Sequence, residues 1–178
     1  MRALVTGGAG GIGSHLVDAL LARGDEVAIL DSFHDFYPRA DKERNLRDAR
    51  VHESFLGVHE GDIRDRPFVA RVLGELRPDT IFHFAGRAGV RPSVDQAVEY
   101  SDVNLNGTAV VLAEAAACGT SRLLFASSST VYGDGARSPF HEDEDTGRPL
   151  SPYGATKRGG ELLCYAAHRT TGLAVSCL

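Results

Sequence analysis

Tryptophan is absent from the 178 residues, methionine occurs once and cysteine only three times. The cysteines (Cys118, Cys164 and Cys177) are odd in number, far apart and never in a C-x-x-C spacing. That pattern argues against a disulfide framework and predicts a reduced, cytoplasmic setting with no metal site. An excess of basic charge is also lacking. Nineteen Lys and Arg stand against 24 Asp and Glu, a net charge of −5 with a pI near 5.8. No field exists to hold a polyanion by counterion release, so nucleic acid is not an expected partner. Long apolar runs are missing too. Runs such as Ala109 to Ala113 fall far short of the roughly 20 residues a membrane-spanning helix needs. No positively charged segment precedes an apolar stretch at the start, so neither membrane insertion nor secretion is expected. Repeats, low-complexity tracts and linkers are lacking. On a prior of about 100 to 200 residues per domain, the length fits one domain or a part of a larger protein.

Glycine, in contrast, is abundant: 20 residues, six of them before residue 25. Around it the chain alternates between β-type runs and helical spacing. Arg2–Thr6 predicts a strand that ends at Gly7-Gly8. Ile12, Leu16, Val17, Leu20 and Leu21 mark one helix face that stops at Gly24. Further strands are predicted at Glu26–Leu30, in the last part of 51–60, at Thr80–Phe84, at Arg122–Ala126 and from Leu173. Between them lie predicted helices at Asp41–Arg50, from Pro67 as its first residue to Leu76, at Val94–Cys118 with a break near Tyr100, and at Pro152–Thr171, closed by Gly172. The acidic cluster Glu142–Asp145 reads as a solvated loop. Near-continuous apolar strands with crossover-length helices between them predict an α/β fold: a doubly wound parallel sheet (Rossmann) with strand order 3-2-1-4-5-6.

Gly7, Gly10 and Gly13 are spaced three apart where the first strand enters the first helix. Bare backbone there admits a pyrophosphate to the amino end of the helix that begins near Gly11. Asp31 closes the second strand 18 residues after Gly13, where a carboxylate accepts hydrogen bonds from ribose hydroxyls and repels a 2′-phosphate. The expected cofactor is therefore NAD rather than NADP. Asp62 and Ile63, beyond the third strand, are expected near the adenine, with an ordinary turn aspartate as the alternative for Asp62.

Tyr153 and Lys157 are four apart on a predicted helix and share a face. A cation beside a phenol favours the phenolate, which suits a general base. The run Ser127-Ser128-Ser129-Thr130 follows the fifth strand at the carboxyl end of the sheet, where a hydroxyl is able to hold a substrate oxygen.

These residues resemble the extended short-chain dehydrogenase/reductases, specifically the NAD-dependent nucleotide-sugar epimerase/dehydratase branch. Thr6-Gly-Gly-Ala-Gly-Gly-Ile-Gly-Ser-His15 is similar to the opening motif of that branch, and Pro78-Asp79 leading to His83-Phe-Ala-Gly86 to its strand-four segment. Asn104-Leu-Asn-Gly-Thr108, Ser127-Ser-Ser-Thr-Val-Tyr-Gly133 and Ser151-Pro-Tyr-Gly-Ala-Thr-Lys157 resemble its later motifs. The resemblance implies Ser128, Tyr153 and Lys157 as catalytic residues. It implies cofactor contacts from Gly7, Gly10, Gly11, Ile12, Gly13, Asp31, Asp62, Ile63, Ala85, Asn104, Tyr153 and Lys157, and substrate contacts from Arg91, Ser128 and Ser129. For Arg91 a plain surface arginine is the alternative.

Dehydratases of the branch carry Thr-Asp-Glu where this chain has Ser128-Ser129-Thr130, so epimerisation is the better-fitting chemistry. Asp31-Ser-Phe-His-Asp-Phe-Tyr37, Lys42-Glu-Arg-Asn-Leu46 and Ala88-Gly-Val-Arg-Pro-Ser93 look most like the UDP-glucuronate 4-epimerases. Arg87 departs from the neutral polar residue common at its position. The implied function is 4-epimerisation of a UDP-hexuronate or UDP-hexose, with an NAD-binding module lacking turnover, or a dehydratase or reductase, as alternatives. Family members run on well beyond this length, so residues 1–178 are expected to be the NAD-binding domain without the C-terminal substrate part. A homodimer through the two long helices is also implied. Val103, Val110, Val111 and Leu112 on one, and Leu162, Leu163, Ala166 and Ala167 on the other, exceed what the sheet needs.

Overall fold

The computed structural model describes residues 1–134 and 137–178. Its strands are β1 (Arg2–Thr6), β2 (Glu26–Asp31), β3 (Phe55–Glu60), β4 (Thr80–His83), β5 (Arg122–Phe125) and β6 (Ala174–Cys177). They form one parallel sheet in the order β3-β2-β1-β4-β5-β6, as the alternation of runs predicts. Side chains alternate across it. Leu4, Ala28 and Leu30 enter one core with Val69, Val72, Val111 and Leu112. Ala3, Val5, Val27 and Ile29 enter the other with Val17, Leu20 and Leu21. The sheet is covered on both faces, which is why its central strands read as unbroken apolar runs.

The helices are α1 (Gly11–Ala22), α2 (Arg39–Asn45), α3 (Arg66–Leu76), α4 (Val90–Asp95), α5 (Ala97–Ser101), α6 (Thr108–Cys118) and α7 (Pro152–Thr171). Local chemistry explains their ends. Asp65 caps α3 by accepting from the Phe68 N–H at 3.1 Å, which moves Pro67 to the second helical position rather than the first. Ser151 caps α7 through the Gly154 N–H at 3.0 Å, with Pro152 opening the helix and left-handed Gly172 closing it.

Two predicted helices differ. The Asp41–Arg50 stretch resolves into α2, which begins at Arg39, and a separate 3₁₀ turn at Ala49–Val51. The Val94–Cys118 helix begins earlier, at Val90, because Gly89 at φ +102° turns the chain into it. It is interrupted at Gln96 and again by a π-helical segment, Asp102–Gly107, before α6. Gly107 lets that segment press on the layer below, since a Cβ there would lie 2.5 Å from the Ile63 side chain. Among the described residues, no helix is long and apolar enough to cross a membrane.

Candidate active site

A cleft of about 510 Å³ opens at the carboxyl ends of β1, β2, β4 and β5. Its floor is the turn from β1 into α1. Gly7 adopts φ +70°, and a Cβ there would lie 2.7 Å from the Ala85 backbone nitrogen, so the turn and the segment after β4 touch without side chains. A Cβ on Gly13 would strike the Gly7 carbonyl and lie 2.9 Å from Gly8 Cα, so α1 packs directly on its own turn. At the N-cap of α1 stands Gly10, with no side-chain cap. The N–H groups of the first turn are thus left to a ligand, and the helix dipole favours an anion there.

Asp31 ends β2 beside this turn. Its Oδ2 accepts from the Ala9 N–H at 3.1 Å, and its Oδ1 from the Phe33 N–H at 2.8 Å and from Lys42 Nζ at 3.0 Å. The Asp31–Lys42 pair is buried, with side chains 5% and 10% exposed. A carboxylate offers about four acceptor positions, so Oδ2 retains one for a ligand, and the Lys42 ammonium has donors to spare. Lys42 lines the cleft, and sequence reasoning did not single it out as a ligand contact. Its only signal is a lysine on a mixed-charge helix that follows a strand-terminal aspartate.

Asp62 and Ile63 also line the cleft. The Arg64 guanidinium donates to both Asp62 oxygens and to Asp102 Oδ2 at 2.7 Å. These hydrogen bonds hold the Asp62 carboxyl below its ordinary range.

At the other end of the cleft, α7 carries Tyr153 and Lys157 to the wall. The Tyr153 N–H donates to Ser93 Oγ at 3.1 Å, and its ring meets Tyr100 edge-on at 6.3 Å between centroids. Lys157 is 6% exposed, donates to the Ala126 carbonyl at 2.8 Å and has its Nζ 5.9 Å from the Tyr153 ring centroid. Burial lowers its ammonium to about 8. Behind it, His83 bridges Thr6 Oγ1 at 2.7 Å and Thr108 Oγ1 at 3.0 Å. Complete burial, with the nearby Lys157 charge adding, lowers this imidazole to about 3 and keeps it neutral.

The serine run divides its tasks. Ser127 lines the cleft but gives its hydroxyl hydrogen to Glu161 Oε1 at 2.5 Å, and Arg158 holds the other carboxylate oxygen at 2.8 Å. Ser128 caps a 3₁₀ turn, Ser129–Tyr132, by accepting from the Thr130 N–H at 3.2 Å and from Thr130 Oγ1 at 3.0 Å. That turn sits on the first turn of α7, since a Cβ on Gly154 would lie 2.8 Å from the Thr130 carbonyl.

Of the predicted site residues, the cleft wall brings together Gly7, Gly10, Gly11, Ile12, Gly13, Asp31, Asp62, Ile63, Ala85, Tyr153 and Lys157. Ser128, Ser129, Arg91 and Asn104 are not part of that wall. Arg91 and Ser129 are exposed. Asn104, 3% exposed, has its amide occupied by the Arg87 N–H and carbonyl and by Thr156 Oγ1. It fixes the segment after β4 to α7 from behind. Among the described residues no group of three or more His, Cys, Asp or Glu is placed to hold a metal ion.

Comparison with known proteins shows the family of the chain. The profile of the GDP-mannose 4,6 dehydratase family matches residues 4–178. A UDP-glucose 4-epimerase of Neisseria meningitidis serogroup B is 40% identical over 158 residues, 88% of this chain and 45% of that protein. A UDP-glucuronate 4-epimerase of Thermodesulfobacterium geofontis is 37% identical over 173 residues, 97% of this chain and 53% of that one. Among solved structures, a double mutant of the dTDP-glucose 4,6-dehydratase DesIV from Streptomyces venezuelae, with NAD bound, superimposes with a TM-score of 0.88 at 39% identity. That match covers 99% of this chain and 54% of the other. The chain spans about half the length of these relatives. With its doubly wound sheet, glycine turn and Tyr153–Lys157 helix, it belongs to the NAD-dependent nucleotide-sugar epimerase/dehydratase family of extended short-chain dehydrogenase/reductases.

Proposed function

We propose that the chain binds NAD along this cleft and serves the 4-epimerisation of a UDP-hexose or UDP-hexuronate. The observation that carries the reading is that one cleft holds both an uncapped, glycine-lined helix N-terminus and the Tyr153–Lys157 pair. The cradle fits the cofactor. A Cβ at Gly7 or Gly13 would collide with backbone, so the floor stays bare for a diphosphate. Asp31 Oδ2 and the Lys42 ammonium offer an acceptor and a donor for a ribose diol. Asp62 and Ile63 flank the adenine end.

NAD, when bound, would supply a hydride acceptor and donor for C4. The chain supplies the rest. Tyr153 takes the C4 hydroxyl proton and gives it back, and Lys157 places a positive charge beside that transfer. Ser128 is the hydroxyl proposed to hold the sugar oxygen, because the Ser127 hydrogen is committed to Glu161 whereas Ser128 only accepts locally. Of the two substrate classes we favour the hexuronate, from the motifs shared with UDP-glucuronate 4-epimerases, with Arg91 near the sugar nucleotide.

We also propose that residues 1–178 are the cofactor-binding unit, with much of the sugar-nucleotide pocket contributed outside them, as the length of the relatives suggests. A homodimer through α6 and α7 is supported by the exposure of Leu162 and Tyr165 on α7, whereas Val111 and Leu112 on α6, expected as surplus, are buried against the sheet and offer it nothing. Three free thiols support a reducing, cytoplasmic setting. A binding module without turnover is the second reading, favoured by the position of Ser128 and Arg91 outside the cleft wall.

Incubation with NAD and UDP-glucuronate or UDP-glucose tests the proposal. Isomer interconversion without net nicotinamide absorbance change supports epimerisation. Net absorbance change indicates a dehydrogenase or reductase, and cofactor binding with neither indicates the module.

A further inference from the structure

β1 lies between β2 and β4 in the sheet. A side chain that reaches from the end of β4 to the end of β2 therefore crosses above the glycine turn that leads β1 into α1. Arg87 makes that crossing. Its backbone is fixed by Asn104, which accepts from the Arg87 N–H at 2.7 Å and donates to its carbonyl at 3.1 Å. Its guanidinium donates through Nη1 to His34 Nε2 at 2.7 Å, three residues beyond Asp31. Nη2 donates to Gln96 Oε1 at 2.8 Å and pairs with Glu99 Oε2 at 2.8 Å. The guanidinium carbon lies 5.7 Å from the Tyr100 ring centroid.

His34, Arg87 and Glu99 line the same cleft as Gly10 and Gly11. The Arg87 side chain is 11% exposed, and its Nε is buried with no hydrogen-bond partner among the described residues. Its Nη groups, which carry four N–H donors, face His34, Gln96 and Glu99 at the cleft. The oxygens of a diphosphate suit a guanidinium fork in both charge and spacing.

Building on the dinucleotide reading above, we propose that Arg87, steadied by His34, straps the diphosphate of the dinucleotide from the side opposite the α1 N-terminus, with a phosphate oxygen taking the Nη N–H that Glu99 now holds. The strap carries its own competitor. Glu99 holds the same guanidinium that the diphosphate needs, and Asp35 lies 3.1 Å from His34 Nδ1. Removing the Glu99 charge therefore strengthens the hold on the ligand, and removing the Arg87 charge weakens it. A side chain that merely fills space predicts no such opposition of sign.

Calorimetric titration of the 178-residue chain with NAD, ADP and adenosine tests this. Arg87→Gln is expected to weaken NAD and ADP at least tenfold and to flatten the salt dependence of their binding, while adenosine stays within twofold. Glu99→Gln is expected to tighten NAD severalfold. If circular dichroism shows that Arg87→Gln does not fold, His34→Ala, in an exposed loop, carries the test with an expected loss of threefold or more for NAD and none for adenosine. Wild-type chain that binds NAD while these variants match it overturns the strap alone. Equal losses for NAD and adenosine overturn it too, since Arg87 then only shapes the pocket. Wild-type chain that binds no NAD overturns the dinucleotide reading and the strap together.

Discussion

Lys42 meets Asp31 at 3.0 Å in a buried ion pair, so the acid that closes β2 is held by a lysine on the next helix. Removing one partner of such a pair strands the other as an uncompensated buried charge, at about 3 to 5 kcal/mol. Asp31→Ala is therefore expected to lower stability as well as NAD affinity. Asp31→Asn combined with Lys42→Met should recover most of the stability and none of the affinity. Denaturant unfolding and NAD titration of the three proteins separate the two effects. Full stability in Asp31→Ala would contradict the pairing.

Gly13 and Gly11 separate packing from ligand contact. Gly13→Ala puts a Cβ into the backbone of Gly7 and Gly8 and should destabilise the fold and abolish NAD binding. Gly11 has nothing within 4 Å of the corresponding position. Gly11→Ala should keep or gain stability, by up to about 1 kcal/mol, and still weaken NAD. Thermal melts with and without NAD distinguish the two, and unchanged NAD affinity in Gly11→Ala would remove Gly11 from the site.

The buried imidazole of His83 predicts an acid-side loss of stability. Its folded value, about 3, lies below the ordinary 6.5, so the unfolded chain binds the proton more readily. The stability is fully present above pH 6.5 and is lost as pH falls toward 3, with a slope of up to about 1.4 kcal/mol per unit. His59, lowered by burial, contributes with the same sign. Unfolding midpoints between pH 4 and 7 should decline, and His83→Gln should flatten the decline. An identical pH dependence in that variant would assign the effect elsewhere.

Lys157 has the same sense of shift at higher pH. With a folded value near 8 against 10.5, its ammonium burdens the fold at neutral pH, by about 3 kcal/mol, and the burden lifts as pH rises through 8 to 10.5. Lys157→Met removes the charge but leaves the Ala126 carbonyl without its donor. A net gain of about 1 to 2 kcal/mol at pH 7 is expected, with loss of turnover. A drop in the melting temperature would show that the ammonium stabilises the fold.

Tyr153→Phe keeps the ring against Tyr100 and the backbone bond to Ser93. Fold and NAD affinity should persist while epimerisation is abolished. Turnover within tenfold of wild type would assign the proton transfer to another group.

The glycine turn and Asp31 were legible in the sequence because each expresses local backbone chemistry, and the strand order because unbroken apolar runs alternating with crossover-length helices specify a doubly wound sheet. Lys42 was not, since only the packing of α2 beside β2 brings it to Asp31. Nor was the particular serine at the cleft wall: Ser127, Ser128 and Ser129 are chemically alike, and a 3₁₀ turn decides which way each faces. Arg87 stood out as a departure in the motif, but its reach to His34, 53 residues away in the sequence, is a side-chain contact that no window of sequence contains.

The π-helical segment Asp102–Gly107 changes the phase between α5 and α6. One residue beyond the α-helical repeat rotates everything after it by about 100°. Glu99 on α5 thus faces the cleft, whereas Val111, Leu112 and Ala115 on α6 face the sheet. An uninterrupted α-helix through the same residues would carry α6 about 100° out of this phase and would have to give up one of the two placements. Deleting a single residue from the segment would force that loss, turning Asn104 away from the backbone of Arg87 while leaving the composition of both helices untouched.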